Sequence, residues 1–210
     1  QVDFSKEQDL LGMGSALHWI FQANAYDKSY MRNKLAYEMF RGMTSGYAVE
    51  SVFADVYFNG EYAGNYLICE KVEAGVNRID LADNAAAYTA DSTKGQVLEE
   101  EDIRYYDTQD ADTSGGYLIE TQNVVVPSDL QRMSEEDSYF VSYSGRYEIR
   151  WPKEISKTQI SYIQDYMKQV ETQIAGCVTE EDYRQLAEVI DMDSFAVMYL
   201  IDLIANDVDA

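Results

Sequence analysis

Phe53-Ala-Asp-Val-Tyr-Phe-Asn-Gly-Glu-Tyr-Ala-Gly-Asn-Tyr-Leu-Ile-Cys-Glu-Lys71 is the stretch whose reading decides the fold. Asn59-Gly60 lies between two β-favouring runs and signals a two-residue hairpin turn, since both central positions of a type I′ turn need φ > 0. An uninterrupted ladder from that turn pairs Phe58 with Glu61, Tyr57 with Tyr62, Val56 with Ala63 and Phe53 with Tyr66. Period-two alternation then puts Phe53, Tyr57, Tyr62 and Tyr66 on one face. Val56, Ala63, Leu67, Cys69 and Lys71 take the other, so Glu70 and Lys71 point to opposite sides. A bulge at Gly64 reverses the assignment for everything after it.

The 210-residue chain is long enough for one large or two small cores. Its hydrophobic content of 46% reads as globular. With 38 acidic against 16 basic residues the net charge is −22 and no Lys/Arg cluster is present, which argues against nucleic-acid binding. Solubility is the ordinary reading of such charge, and binding of cationic partners or divalent metals the sharper one. Cys69 and Cys177 lack CxxC spacing, so neither a zinc site nor a redox dithiol is indicated, and a single disulfide between them stays open. His18 is the sole histidine, which disfavours a Ser-His-Asp hydrolase and a His-rich metal site. No apolar run approaches the ~20 residues of a membrane span, and no signal peptide opens the chain.

Along the chain, alternation near Leu17–Phe21 predicts a short strand. Asp27 or Ser29 is placed to cap a helix running to Arg41, with Gly42 as its C′ residue and a stripe of Met31, Leu35 and Met39. Arg32 and Lys34 fall in its first turns, where the macrodipole disfavours cations. They read either as solvated surface or as cations held there to meet phosphate or carboxylate. Residues 82–114, with the run Glu99-Glu-Glu-Asp102, read as a long surface excursion. Gly115-Gly116 launches a strand through Tyr117-Leu-Ile-Glu120, continued by or paired with Val124–Val126 before Pro127. Tyr139–Pro152 reads as a second hairpin, turning at Ser144-Gly145. Ser156 and Gln159 form a capping-box pattern ahead of Ile160, Ile163, Met167, Val170 and Ile174, and Gly176 ends that helix. Thr179 starts a second helix, and Asp191 caps a third that is apolar nearly all round and therefore expected to be buried. The third helix delivers the chain to Asn206-Asp-Val-Asp209. The fold class is α+β: a β-rich part over residues 1–152, then a helical part over residues 153–210, read as the incomplete start of a larger helical lobe.

Asp207 and Asp209, two residues apart beyond a hydrophobic helix, suit a divalent cation or proton abstraction from a hydroxyl; a solvated acidic helix end is the commoner alternative. Asp202, among apolar residues, calls for a partner such as Arg32, Arg150 or a backbone donor. Lys71, beside Glu70, is positioned either to contact nucleotide phosphates or to snorkel into water. The glycines form neither a P-loop nor GxGxxG. The 18 tyrosines and seven phenylalanines raise carbohydrate stacking, although aromatics at alternating strand positions are more often core.

Four stretches together resemble the CotH (spore coat protein H) kinase family. They are Asp27-Lys-Ser-Tyr-Met-Arg-Asn-Lys-Leu-Ala-Tyr37, the hairpin Val56–Tyr66 with Glu70-Lys71, Gly115-Gly-Tyr-Leu-Ile-Glu120, and Ile190-Asp-Met-Asp-Ser-Phe195 leading to Asn206-Asp-Val-Asp209. The resemblance implies an atypical protein-kinase-like two-lobe fold binding ATP with Mg²⁺ or Mn²⁺, and phosphorylation of protein Ser/Thr hydroxyls. It implies an extracellular or cell-surface setting in bacteria, of spore-coat or cellulosome type. By position Asp209 matches the family's candidate catalytic and metal-binding carboxylate. Asp207 stands at an Asn position and Leu203 where an acidic residue is often found. Arg32, Lys34, Glu70, Lys71 and Glu120 fall on motif positions and are candidates for the cofactor site: Lys71 or Arg32 to meet phosphate, Glu70 or Glu120 to pair with it. The family's later acidic metal motif does not occur before Ala210, so this stretch by itself is expected to be inactive. The alternative is a non-catalytic extracellular assembly module.

Overall fold

The computed structural model describes residues 1–82, 97–100, 103–106, 112–122 and 138–205. Packing divides the chain into two compact units, Gln1–Ile79 with Asp191–Ala210, and Asp80–Ile190. The boundary drawn from sequence at 152/153 falls inside the second. Among the described residues the architecture is α+β, with antiparallel sheets and four helices.

The first unit holds a four-stranded antiparallel sheet in the order β1 (Val2–Asp9), β2 (Ser15–Gln22), β4 (Glu61–Glu70), β3 (Ser51–Phe58). The Asn59-Gly60 turn forms as predicted, with φ of 52° and 88°. Gly60→Ala, at a site where an added Cβ would meet no atom, isolates the backbone term. It is expected to lower stability by about 1–2 kcal/mol in urea unfolding.

The uninterrupted register is corrected beyond Tyr57. Phe58 faces Glu61 and Tyr57 faces Tyr62, but Val56 then faces Gly64 and Phe53 faces Leu67. Ala63 is the extra residue of a bulge, and Gly64 accommodates it at φ +124°. Leu67 and Cys69 consequently share the face of Phe53 and Tyr57, while Tyr66, Ile68 and Glu70 turn to the other. That second face carries the core of the unit: Met13, Ala16, Trp19 and Ile68, flanked by Phe4, Phe21, Val52, Ala54 and Val56. On the first face Leu67 and Cys69 are buried, and burial pushes the Cys69 thiol up to about 11. Both cysteines are free thiols, so the disulfide left open by the sequence is not formed.

Helix α1 (Arg32–Met43) starts later than expected. Asp27 still serves its N-terminus, but from outside the helix: Oδ2 accepts the Arg32 N–H at 2.9 Å and Oδ1 accepts the Ser29 N–H and Oγ–H. The bonds from Ser29, then Arg32, hold the Asp27 carboxyl down at about 2. Gly42 lies within the helix, and the N–H of the C-cap Thr44 bonds to Phe40 O.

The last helix of the unit, here α4 (Met192–Ala205), corrects a second expectation. Only Ile201 is buried, whereas Phe195, Met198, Tyr199, Leu203 and Ile204 are exposed. It packs beside α1, and a helix apolar around its whole circumference presents more surface than one neighbour covers. Asp202 is half-buried on it, open enough to water that none of the expected ion-pair partners is required.

The second unit contains the pair β5 (Val97–Glu100) and β6 (Ile103–Tyr106), within the stretch that the sequence predicts to be a surface excursion. It also contains the sheet β7 (Leu118–Gln122), β9 (Gly145–Trp151), β8 (Ser138–Ser142), in that order. Val124–Val126 and Pro127 lie outside the described residues. Ser142 pairs with Gly145, so the turn is Tyr143-Ser144, one residue earlier than expected. Helix α2 (Lys157–Gly176) has the predicted capping box of Ser156 and Gln159, and packs Ile160 and Ile163 against Phe140, Tyr147 and Ile149. Helix α3 (Glu180–Ala187) is capped in the same way by Thr179 and Asp182.

Glu171 of α2 clamps the β8–β9 turn, accepting from Ser142 Oγ, Ser144 Oγ, Tyr147 Oη and the Tyr143 N–H. Burial alone would raise its carboxyl, but these donors outweigh it and bring it from 4.5 to about 2. A carboxyl lowered on folding contributes its stabilisation above its unfolded pKa and loses it as pH falls toward the folded one. Thermal stability is therefore expected to drop between about pH 5 and pH 2, and Glu171→Gln to be less stable at neutral pH with a shallower acid slope.

Candidate functional site

Strand β4 ends in a buried carboxylate. Glu70 is 6% exposed because the Gly64 bulge turns it to the Trp19 side. Its Oε1 accepts from Arg78 Nη1 at 3.0 Å, and its Oε2 from Tyr47 Oη at 3.0 Å and the Glu50 N–H at 2.9 Å. Burial, then the Glu70 charge, raises the Tyr47 hydroxyl far above its ordinary value, so it remains a donor. Arg78 is equally buried: Nη1 also donates to Met13 O and Asn77 O, and the guanidinium lies 4.6 Å from the centre of the Trp19 ring. Its Nε and Nη2 have no hydrogen-bond partner among the described residues. The Glu70–Arg78 pair thereby fixes three segments to one another: the chain before β3, the end of β4, and the 73–79 turn.

The structure separates the residues that the sequence grouped. Lys71 points away from Glu70 and its Nζ lies 3.6 Å from Glu73 Oε2, an oxygen that also lies 3.0 Å from His18 Nδ1. Lys34 is occupied, donating to Glu38 Oε1 and to Ser51 O, both at 2.6 Å. Glu120, in the second unit, accepts from Arg150 Nε at 2.7 Å. The buried partner of Glu70 is thus Arg78 rather than Lys71 or Arg32, and Glu120 pairs with Arg150. Arg78 went unnoticed in the sequence. The available signal was a lone arginine between Val76 and Ile79 in a chain with few cations, close behind a strand ending in Glu.

Arg32 is different. Its side chain is 80% exposed and its one ion pair among the described residues is with Asp27, at 3.7 Å, a surface pair of small energetic consequence. It stands at one end of a cavity of about 400 Å³ whose walls are Leu35, Ala36 and Met39 of α1 and Ile201, Ile204 and Ala205 of α4. Gly46, just past α1, neighbours Ser194 at the start of α4, so the two helices run antiparallel and the end of α4 meets the beginning of α1. Asp207 and Asp209 lie outside the described residues, two and four positions beyond Ala205. Among the described residues no three His, Cys, Asp or Glu side chains come together to hold a metal, and no helix is long and apolar enough to cross a membrane.

A nonpolar cavity of this size with a cation at its end forms a chemically coherent set. Apolar walls suit a flat base, and an exposed guanidinium suits phosphate. Comparison with protein families finds that the model for the CotH kinase protein matches residues 1–210, the whole chain. Neither the comparison with curated proteins nor that with solved structures found a match. With the match running over every residue, the chain belongs to the CotH kinase family.

Proposed function

We propose that this chain forms the nucleotide-handling part of an atypical, two-lobed protein kinase that acts outside the cell, transferring the ATP γ-phosphate to Ser/Thr hydroxyls of coat-type or other extracellular proteins. One observation supports the reading: Arg32 of α1 and Ala205 of α4 line the same cavity, and in the sequence Asp207 and Asp209 follow two and four positions after Ala205. The residues fit the implied groups. Leu35, Ala36, Met39, Ile201 and Ile204 offer the base an apolar slot, and Arg32 offers the phosphates a charge that Asp27 neutralises only weakly.

Asp209 has the hard oxygen donors that Mg²⁺ or Mn²⁺ takes, with Asp207 as its neighbour. The metal, when bound, supplies charge neutralisation of the transferring phosphoryl group. Asp209 would also accept the proton of the acceptor hydroxyl as the phosphoryl group is transferred. Lys71 and Lys34 act here at one remove: Lys34 fixes α1 to Ser51 O, and Lys71 leans on the Glu73–His18 cluster. Glu70 holds the strand end that supports them.

The test is transfer of labelled γ-phosphate from ATP to a Ser/Thr-rich protein acceptor by a chain extended past Ala210 to include the family's later acidic motif. Arg32→Ala is expected to raise the KM for ATP by about 10- to 100-fold, the worth of one charge-assisted contact, with an unchanged unfolding midpoint. An unchanged KM would remove Arg32 from the site.

A second reading, an assembly module without chemistry, is favoured by Leu203. At 58% exposure it presents an apolar side chain to solvent on the helix that leads to Asp209. A protein that folds and shows no transfer with either metal would select that reading.

A further inference from the structure

The outer half of the β3–β4 hairpin presents an aromatic face that belongs to neither hydrophobic core. Tyr57 is 65% exposed and Tyr62 60%, and they face each other across the strands with ring centroids 5.3 Å apart and planes tilted by 56°. Phe53 continues the face at 38% exposure. Beside this ring pair along the ladder, where Asp55 faces Asn65, Asp55 Oδ1 accepts from Asn65 Nδ2 at 3.0 Å and from Tyr62 Oη at 3.3 Å. Asp55 Oδ2 enters none of the hydrogen bonds of the described residues, and both Asp55 and Asn65 are exposed.

Cross-strand tyrosines ordinarily serve a core. Here the ring faces are left to solvent and bordered by a carboxylate and an amide, groups that accept from and donate to hydroxyls. A pyranose presents the complementary pattern, with C–H bonds on its flat face and hydroxyls around its rim. No Lys or Arg lies among the residues of this face, and the whole chain carries −22, so polyanions are repelled. The tilt of the two rings does not match a flat crystalline surface. A single soluble chain, which can turn its successive rings, is not held to a flat platform.

We infer that the Tyr57–Tyr62 face of the hairpin is a binding site for a neutral, soluble polysaccharide chain, with Tyr57 and Tyr62 stacking on sugar rings and Asp55 and Asn65 bonding their hydroxyls. This site is independent of the nucleotide reading, because it lies on the hairpin and uses none of the residues of the α1–α4 cavity.

The test is native affinity electrophoresis of the whole protein in gels containing soluble xylan or soluble mixed-linkage β-glucan, alongside sedimentation with microcrystalline cellulose. Wild type is expected to be retarded by at least one soluble glycan and not to sediment with cellulose. Tyr57→Thr and Tyr62→Thr, which keep strand propensity, are expected to weaken retardation about tenfold or more, as loss of a central aromatic contact does. Tyr57→Phe and Phe58→Ala, the latter on the opposite face, are expected to retain it. Equal unfolding midpoints exclude a folding defect. The inference is overturned if no soluble glycan retards wild type, or if both threonine variants bind like wild type. It is also overturned if the face instead proves to join two copies of the chain, seen as a dimer that Tyr57→Thr dissociates.

Discussion

Glu70→Ala is expected to lower the stability of the protein by about 3–5 kcal/mol, the range for removing one partner of a buried ion pair. Three donors lose their acceptor at once: Arg78 Nη1, the Tyr47 hydroxyl and the Glu50 N–H. The energetic weight falls on Arg78, whose side chain is 2% exposed and would retain a charge with no carboxylate beside it. Its stacking on Trp19 and its carbonyl contacts do not neutralise that charge. Lys71→Ala, one residue on, is the natural contrast: Lys71 is a third exposed and its pair with Glu73 is long at 3.6 Å, so a change within about 0.5 kcal/mol is expected. Urea unfolding of the two variants separates a structural Glu70 from a structural Lys71. A Glu70→Ala loss below about 1 kcal/mol would mean that the 73–79 turn relaxes enough to expose Arg78 to water.

The second large effect is on activity. On the proposed reading Asp209→Ala is expected to reduce phosphoryl transfer by about 10²- to 10⁴-fold, the usual range for a positioned acid–base carboxylate, without a change in the unfolding midpoint. Asp207→Asn, which places an amide where the family pattern has one, is expected to retain activity or raise it. Transfer by Asp209→Ala at the wild-type rate would exclude that residue from catalysis and place the chemistry elsewhere in the chain.

What was legible in the sequence was local. Asn59-Gly60 needs only its own backbone preference to define a turn, and Ser156 with Gln159 needs only four residues to define a cap. The bulge was legible only as a condition, because Ala63-Gly64 permits it while the decision comes from packing: with the extra residue, Leu67 and Cys69 share one buried face and Ile68 joins Trp19 on the other. Strand β1 is not legible because Val2–Asp9 is exposed at most positions and, apart from Val2 and Phe4, consists of Asp, Ser, Lys, Glu and Gln, so it carries little hydrophobic alternation. The burial of α4 was misjudged because composition reports how apolar a helix is and not how many neighbours cover it.

The same limit applied to the candidate site. Arg32 was identified as a cation in an electrostatically unfavourable place, yet its relation to the end of α4 depends on a contact between residues about 170 positions apart, which no spacing rule reaches. Lys34 resembled Arg32 in sequence and differs in structure, since Ser51 O and Glu38 lie within its reach. Arg78 carries no motif of its own. Its importance arises from the bulge that turns Glu70 toward it, a consequence of β4 packing that a linear reading does not contain.

The most direct test of the account is calorimetric titration of the protein with ATP in the presence and absence of Mg²⁺ or Mn²⁺, beside Arg32→Ala and Asp209→Ala. The account predicts binding that requires the metal, weakens on loss of Arg32 and loses its metal dependence on loss of Asp209. A folded protein that binds no ATP with either metal would contradict it.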